Sequence, residues 1–204
     1  EFVKAGHLGT IGMVRAFVLY GGGGPETPRP NVEPPPELDW DFWCGPAPLR
    51  PFNGTPDNPW GGGIHPRGFR QYLDYANGTL GDWGVHWLDQ VLWITGARWP
   101  RTVFSTGGRP VKGDPVLTRA EQTSDAPDHQ SAVYGFDGMT VTWEHRQFAG
   151  NNAEKGENVG CYFYGTEGTL HVGWRTGWVF YPANAKKPEI RGEPKLNEPD
   201  HQNI

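Results

Sequence analysis

Residues 131–146 read SAVYGFDGMTVTWEHR, and this stretch decides the class of fold. Strand-forming residues stand on both sides of the dipeptide Asp137-Gly138, which is typical of the tight turn of a β-hairpin. The stretch therefore predicts two antiparallel strands, Ser131 to Phe136 and Met139 to Arg146.

Similar short runs continue the pattern in both directions. Thr10 to Tyr20 alternates as a half-buried strand does, and Glu167-Gly168 marks a second hairpin. Further strands are predicted at Arg101 to Thr106, Val159 to Tyr164, Thr169 to Trp174 and Trp178 to Tyr181.

Two helices are predicted ahead of most of these strands. Phe69 to Ala76 is followed by Asn77-Gly78, and Leu80 to Thr95 is followed by Gly96, a residue that often ends helices. Together the elements predict an α+β fold, with an open, mostly antiparallel sheet and helices packed on one face. We expect residues 1–204 to form a single domain.

Residues 21–63 have a different composition. They contain eleven of the twenty prolines, which excludes regular elements, and they carry the aromatic residues Trp40, Phe42, Trp43, Phe52 and Trp60. A disordered linker would lack these rings, so we expect an ordered, irregular arm pinned by its aromatic side chains.

The two ends of the chain give weaker patterns. Glu1 to Gly6 reads as the last turn of a helix capped by Gly6, which implies further sequence upstream. The segment from Pro182 onward is polar and interrupted by prolines, which predicts a loop.

Composition excludes several classes of partner. The formal net charge is −5, and no run of lysine or arginine offers a surface for nucleic acid or an anionic membrane. No apolar stretch approaches the ~18 residues of a membrane-spanning helix. Cys44 and Cys161 match no metal or redox spacing, and we interpret them as idle or buried thiols, with a single disulfide as the alternative.

The second predicted helix carries a line of polar and aromatic residues. Asp82, His86, Asp89 and Trp93 fall at i, i+4, i+7 and i+11, on one face of an otherwise apolar helix. A carboxylate one turn from an imidazole can hydrogen-bond to it and fix its tautomer, which is how a proton-transferring histidine is built.

A purely structural interpretation competes with this one. Thr79 and Asp82 fit a capping box, and His86 with Asp89 could be a satisfied buried pair. His65 and Arg70, near the first helix, could reach an oxygen-rich ligand or could be solvated loop residues. The remaining histidines have no partners at metal-ligand spacing, so we predict no metal site.

Residues 78–89 resemble a motif of the Gfo/Idh/MocA oxidoreductases. Gly78-Thr79-Leu80-Gly81-Asp82-Trp83-Gly84-Val85-His86-Trp87-Leu88-Asp89 is similar to the family's G-x-L-x-D-x-G-x-H-x-x-D segment. The likeness continues in Gly6-x-x-Gly9-x-Ile11-Gly12, in an arm from Leu38 to Phe52, and in Thr123-Ser124-Asp125 with Val141 to His145. It covers most of the chain.

The resemblance implies the substrate-binding C-terminal half of an enzyme that oxidises a secondary hydroxyl of a sugar, glycoside or polyol. It implies NAD or NADP as cofactor, held mainly by a Rossmann half that this chain lacks, and a homo-oligomer assembled through the sheet. His86 would be the acid/base and Asp82 would orient it and contact substrate. We predict further substrate contacts from Asp89, Trp43, Arg50, His65 and Arg70.

Several family features have no counterpart in the sequence. The catalytic lysine of the Rossmann half and the glycine motif that binds phosphate are missing, so we expect this chain alone to be inactive. Residues 67–70 also depart from the expected tryptophan-rich stretch. Two alternatives stay open: an NAD-dependent glycosidase that oxidises its substrate transiently, and a non-catalytic carbohydrate-binding or assembly module.

Overall fold

The structure, a computed structural model, describes residues 1–55 and 62–193. The chain divides into two compact units. The larger unit comprises Glu1–Gly22, Trp83–Gly107 and the chain from His129 onward, and the smaller comprises Gly23–Asp82 and Gly108–Asp128. That all 204 residues act as a single domain stays a prediction.

Strands dominate the described residues. In chain order they are β1 (Ile11–Leu19), β2 (Arg29–Pro30), β3 (Thr102–Gly108), β4 (Glu121–Gln122), β5 (His129–Phe136), β6 (Met139–Arg146), β7 (Val159–Gly165), β8 (Gly168–Gly173), β9 (Trp178–Pro182) and β10 (Ile190–Gly192). The helices are α1 (Trp40–Cys44) and α2 (Gly78–Thr95), with a 3₁₀ turn at Phe69–Gln71.

The larger unit is built on one eight-stranded sheet. Its spatial order is β10-β9-β8-β7-β1-β6-β5-β3. β1 runs parallel to β6 and antiparallel to β7, and the pairs β5–β6, β7–β8, β8–β9 and β9–β10 are antiparallel. The predicted fold class, an open and mostly antiparallel sheet with few helices, is confirmed.

The two faces of the sheet follow from the alternation of side chains along β1. Val14, Ala16 and Val18 point to one face and are fully buried. Phe17 and Leu19 point to the other, where they pack with Tyr162 of β7. We call these the Ala16 face and the Phe17 face.

Helix α2 lies on the Ala16 face. Trp87 of the helix contacts Trp174, which directly follows β8, and is itself fully buried. Trp174 shares its face with Val172, because the two are separated by one residue, and Val172 pairs through Cys161 with Ala16. The buried apolar residues of α2, Trp87 and Val91, therefore belong to the core on this face of the sheet.

The smaller unit departs from the prediction that the arm holds no regular element. Its α1 begins after Asp39, whose side chain accepts a hydrogen bond from the Phe42 backbone N–H at 3.0 Å. Its β2 pairs with β4. The prolines stand outside α1, and the N-cap makes this short helix possible. Trp60 lies outside the described residues.

Three other boundaries differ from expectation. Phe69 to Ala76 is not a helix: only Phe69–Gln71 forms a 3₁₀ turn, and the Leu73 N–H donates to the Asp125 carboxylate instead of to a helical carbonyl. The tail after Pro182 contains β10, which pairs with β9. Residues 1–6 form turns, and Gly6 adopts the predicted left-handed conformation at φ 83°. The tail beyond residue 193 lies outside the described range.

Candidate functional site

Helix α2 carries the two residues predicted to act in catalysis. It runs from Gly78 to Thr95, so Thr79, the predicted N-cap, lies inside the helix, and its hydroxyl accepts a hydrogen bond from Gln71 Nε2 at 3.2 Å. Asp82 and His86 are four residues apart, which is about one turn of an α-helix. Both side chains are half-buried.

The carboxylate of Asp82 is held by an arginine. Arg70 Nε donates to Asp82 Oδ1 at 2.8 Å, and about a third of each side chain is exposed. The Arg70 guanidinium also donates to the Arg67 carbonyl and lies 5.3 Å from the centre of the Phe69 ring. The sequence predicted Arg70 as a substrate contact but did not predict its ion pair with Asp82.

An aromatic stack adjoins Phe69. Trp43 packs edge-on against Phe69 at 5.9 Å, lies parallel to Trp40 at 4.6 Å and contacts Tyr75 at 5.4 Å between ring centroids. The described part of the arm is therefore pinned by aromatic contacts. Trp43 keeps a partly exposed ring, as a surface that stacks on a sugar requires.

The imidazole of His86 lies among tryptophans. Its ring centroid is 5.9 Å from that of Trp83 and 6.2 Å from that of Trp174. Trp83 also contacts Trp174 at 4.8 Å and Tyr20 at 6.3 Å. The imidazole thus has an apolar wall and remains half-buried instead of sealed inside the core.

Sequence reasoning missed Trp174 as a neighbour of His86 and Tyr20 as a neighbour of Trp83. Tyr20 directly follows β1 and Trp174 directly follows β8, each more than fifty residues from the helix along the chain. Only the strand register, which places Trp174 on the Ala16 face, could have identified this wall.

The outward side of α2 is open. Val85 and Trp93 are 61% and 63% exposed, and Asp89, four residues from each, is exposed as well. An apolar helix surface of this kind is typical of a region that another part of a protein covers. The predicted line of Asp82, His86, Asp89 and Trp93 therefore runs along the border between the buried and open sides.

The other predicted contacts lie in the interior of the smaller unit. Arg50 is only 5% exposed, and its guanidinium donates to Gln122, Asp74 and Asp125 at 3.1, 3.2 and 2.7 Å. His65 is also 5% exposed, and its Nδ1 accepts from the Arg67 N–H at 3.3 Å. Their roles in substrate binding stay predictions, and these partners give both residues a structural duty.

A metal centre and a membrane-spanning helix are two further kinds of site to consider among the described residues. Over 1–55 and 62–193, no group of three histidine, cysteine or acidic side chains is placed to hold a metal ion. No helix in those ranges has the length and apolar character needed to span a bilayer. Cys44 and Cys161 are both buried free thiols.

A sequence profile of the GFO/IDH/MocA C-terminal domain matches residues 49–171, which is more than half of the chain. The chain belongs to the GFO/IDH/MocA family. This confirms the resemblance inferred from the α2 motif. No curated protein matches the chain by sequence.

Solved structures share the fold of this GFO/IDH/MocA domain at low identity. An NAD-binding oxidoreductase from Klebsiella pneumoniae is 20% identical with a TM-score of 0.56, and the match covers 96% of this chain and 43% of that one. Levoglucosan dehydrogenase in complex with NADH is 16% identical with a TM-score of 0.55, covering 95% and 42%. A mutant of the Gal80p repressor from Saccharomyces cerevisiae is 13% identical with a TM-score of 0.59, covering 99% and 44%.

The family match gives the coarse function. The chain is a domain of an oxidoreductase family, and it spans less than half the length of the solved structures it resembles. Its fold neighbours include a sugar dehydrogenase and a transcriptional regulator. The sequence contains no glycine-rich motif of the kind that binds the phosphates of NAD(P).

Proposed function

We propose that this chain is the substrate-binding and proton-transferring half of an NAD(P)-dependent oxidoreductase acting on a secondary hydroxyl of a sugar, glycoside or polyol. One observation carries the proposal. A half-buried imidazole, His86, lies on an accessible helix one turn from a carboxylate, Asp82, that an arginine holds in place.

The residues of the chain divide the work as follows. A bound nicotinamide would supply the acceptor for the hydride of the carbinol carbon. His86 takes the proton of the same hydroxyl, and the rings of Trp83 and Trp174 form an apolar wall beside the imidazole. Asp82 orients the imidazole and contacts the substrate.

Arg70 acts through Asp82. Its bond to Oδ1 fixes the carboxylate and leaves Oδ2 for the imidazole or a substrate hydroxyl. Trp43 offers a partly exposed ring for stacking on the substrate, and the exposed Asp89 accepts from hydroxyl groups. We assign substrate contact to Asp82, Trp43 and Asp89 ahead of Arg50 and His65, whose polar atoms have partners inside the smaller unit.

The test uses the complete protein, including its nucleotide-binding half. His86→Ala should lower kcat by at least about 10²-fold, the usual range for loss of a general base, and leave NAD affinity unchanged. His7→Ala, which removes an exposed histidine elsewhere in the chain, is the matched control and should keep wild-type kcat. Unchanged turnover in His86→Ala would refute the assignment.

The same measurements separate the alternatives. An NAD-dependent glycosidase would release aglycone without net formation of NADH. A non-catalytic carbohydrate-binding or assembly module would bind sugar and reduce no NAD with any alcohol. The homo-oligomer predicted to assemble through the sheet stays a prediction.

A further inference from the structure

A cavity of about 420 Å³ opens on the side of the sheet opposite α2. His171, Val179 and Tyr181 line it from β8 and β9. His171 pairs with Tyr162, and Tyr162 pairs with Arg15, so these side chains share the Phe17 face and not the Ala16 face that α2 covers. The volume lies within the range of small-molecule sites.

Two facing glycines let polar groups approach the sheet beside this cavity. Gly160 of β7 pairs with Gly173 of β8. A Cβ at Gly173 would lie 2.5 Å from the Thr176 hydroxyl and 2.7 Å from Glu157 Oε1. The local backbone is thus shaped to bring Thr176, a lining residue, close to the sheet.

Lys155 is held at the cavity by a strained turn. Its φ of 58° is left-handed, a conformation that costs energy for any residue with a Cβ. Its Nζ lies 4.5 Å from the centre of the Tyr181 ring, a cation–π contact that places the ammonium at the cavity wall. Strain that persists at one residue is a reason to look for a function there.

The side chains that line the cavity carry a net positive charge, which favours an anion. Lys155 and Arg191 are cations, and one acidic side chain of the lining, Glu189, pairs with Arg191 at 2.6 Å, which leaves one positive charge in excess. Glu157, a buried carboxylate that is not part of the lining, keeps its negative charge and accepts from the backbone N–H groups of Arg175 and Thr176 at 2.8 Å.

His171 adds a neutral hydrogen-bonding group. It is only 1% exposed, and its Nε2 has no hydrogen-bond partner among the described residues. Burial lowers the pKa of His171, so the ring is uncharged near pH 7. The hydroxyl groups of Thr176 and Tyr181 are further neutral donors and acceptors on the lining.

We infer that this cavity binds a small hydroxylated carboxylate, such as a sugar acid, at a site separate from the candidate catalytic residues on α2. Lys155 and Arg191 pair with the carboxylate. Thr176, Tyr181 and His171 bond to the hydroxyl groups. The inference does not depend on the proposed dehydrogenase activity.

Calorimetric titration of the protein without nucleotide tests the inference, with gluconate as the anionic probe and glucose as its neutral match. Gluconate should bind at least about tenfold more tightly than glucose, the usual effect of one charge-assisted hydrogen bond. Glu189→Gln, which removes the nearest competing carboxylate, should tighten gluconate binding.

Lys155→Gly separates function from folding. Glycine relieves the strain at φ 58° and should raise Tm, yet loss of the ammonium should weaken gluconate binding about tenfold or more. Lys186→Ala, an exposed lysine outside the cavity, should change neither. Equal binding of gluconate and glucose, or full gluconate affinity in Lys155→Gly, would overturn the inference.

His86→Ala distinguishes this site from the one on α2. Gluconate affinity should be unchanged in that variant if the cavity is the binding site. Loss of gluconate binding in His86→Ala would place the probe at α2 and refute the inference, whereas retained turnover in His86→Ala would refute only the proposed function.

Discussion

Glu26 joins two segments of the smaller unit through one carboxylate. It accepts from the Ser124 N–H at 3.0 Å and from the Ser124 hydroxyl, and it pairs with Lys112 and Arg109 at 3.4 and 3.5 Å. Burial alone would raise the pKa of Glu26, but the Ser124 hydrogen bonds and the two cations hold it below its usual value.

Replacing this carboxylate gives a pH-dependent prediction. Glu26→Gln should lower the free energy of unfolding at pH 7 by about 1–3 kcal/mol, because a charge-assisted network is lost. A depressed folded pKa contributes stability above the unfolded pKa and loses it as the pH falls through the folded pKa. The difference between variant and wild type should therefore shrink below about pH 4.5.

Urea unfolding at several pH values measures this effect. Glu33→Gln, at an exposed position of the same arm, is the matched control and should behave as wild type throughout. A stability difference that is independent of pH would show that the ionised form of Glu26 does not contribute.

At the scale of single residues, local spacing could be predicted from the sequence, whereas contacts between distant residues could not. Asp82 and His86 could be identified because their spacing on one helix is local information. The burial of Arg50 could not be predicted, because its hydrogen-bond partners are distant in sequence. Asp74 is 24 residues away, Gln122 is 72 and Asp125 is 75. The same holds for Lys155, because nothing in its own neighbourhood of sequence reveals the ring of Tyr181.

Among the elements, the hairpins and α2 were predictable and the short helices were not. Asp137-Gly138 and Glu167-Gly168 encode their turns directly, and α2 ends at Thr95 as predicted. The helix predicted from Phe69 to Ala76 was wrong, because the Leu73 N–H donates to the Asp125 carboxylate and not to a helical carbonyl. Helix α1 was missed because proline density masked the local signal of Asp39 as N-cap.

The packing of α2 gives a prediction at this scale. Trp87 is fully buried against Trp174, whereas Trp93, two turns closer to the end of the helix, is 63% exposed. Trp87→Ala should cost about 3–5 kcal/mol of stability through lost burial and a residual cavity. Trp93→Ala should change stability by less than about 1 kcal/mol.

Thermal and urea unfolding of the two variants measure the difference in stability. Each variant loses one indole, so Trp93→Ala serves as the control for Trp87→Ala. Equal destabilisation by both substitutions would contradict the packing of α2 on the Ala16 face.

At the scale of the whole molecule, the two units are stabilised by different kinds of contact. The larger rests on a continuous sheet whose central strand β1 is paired on both sides, by β6 and β7. The smaller contains two strands of two residues each and relies on side-chain bonds between distant segments. Arg50 is the centre of those bonds, through Gln122, Asp74 and Asp125.

This contrast predicts that the units can be destabilised separately. Arg50→Met leaves buried acceptors unpaired, and removal of one partner from a buried ion pair costs about 3–5 kcal/mol. The loss should concentrate in the smaller unit, because each of these partners belongs to it. Stability within a protein is not uniform, and amide hydrogen exchange reports it residue by residue.

Hydrogen exchange of Arg50→Met should therefore show faster exchange at the Leu73 and Asp125 amides, which are bonded to the Asp125 carboxylate and the Gln71 carbonyl. Amides of β1 and β6 should keep their protection. Arg101→Met, which removes an exposed arginine paired with Asp137 on the surface, is the matched control and should leave both regions unchanged. Uniform loss of protection over both units in Arg50→Met would mean that they unfold as one cooperative body.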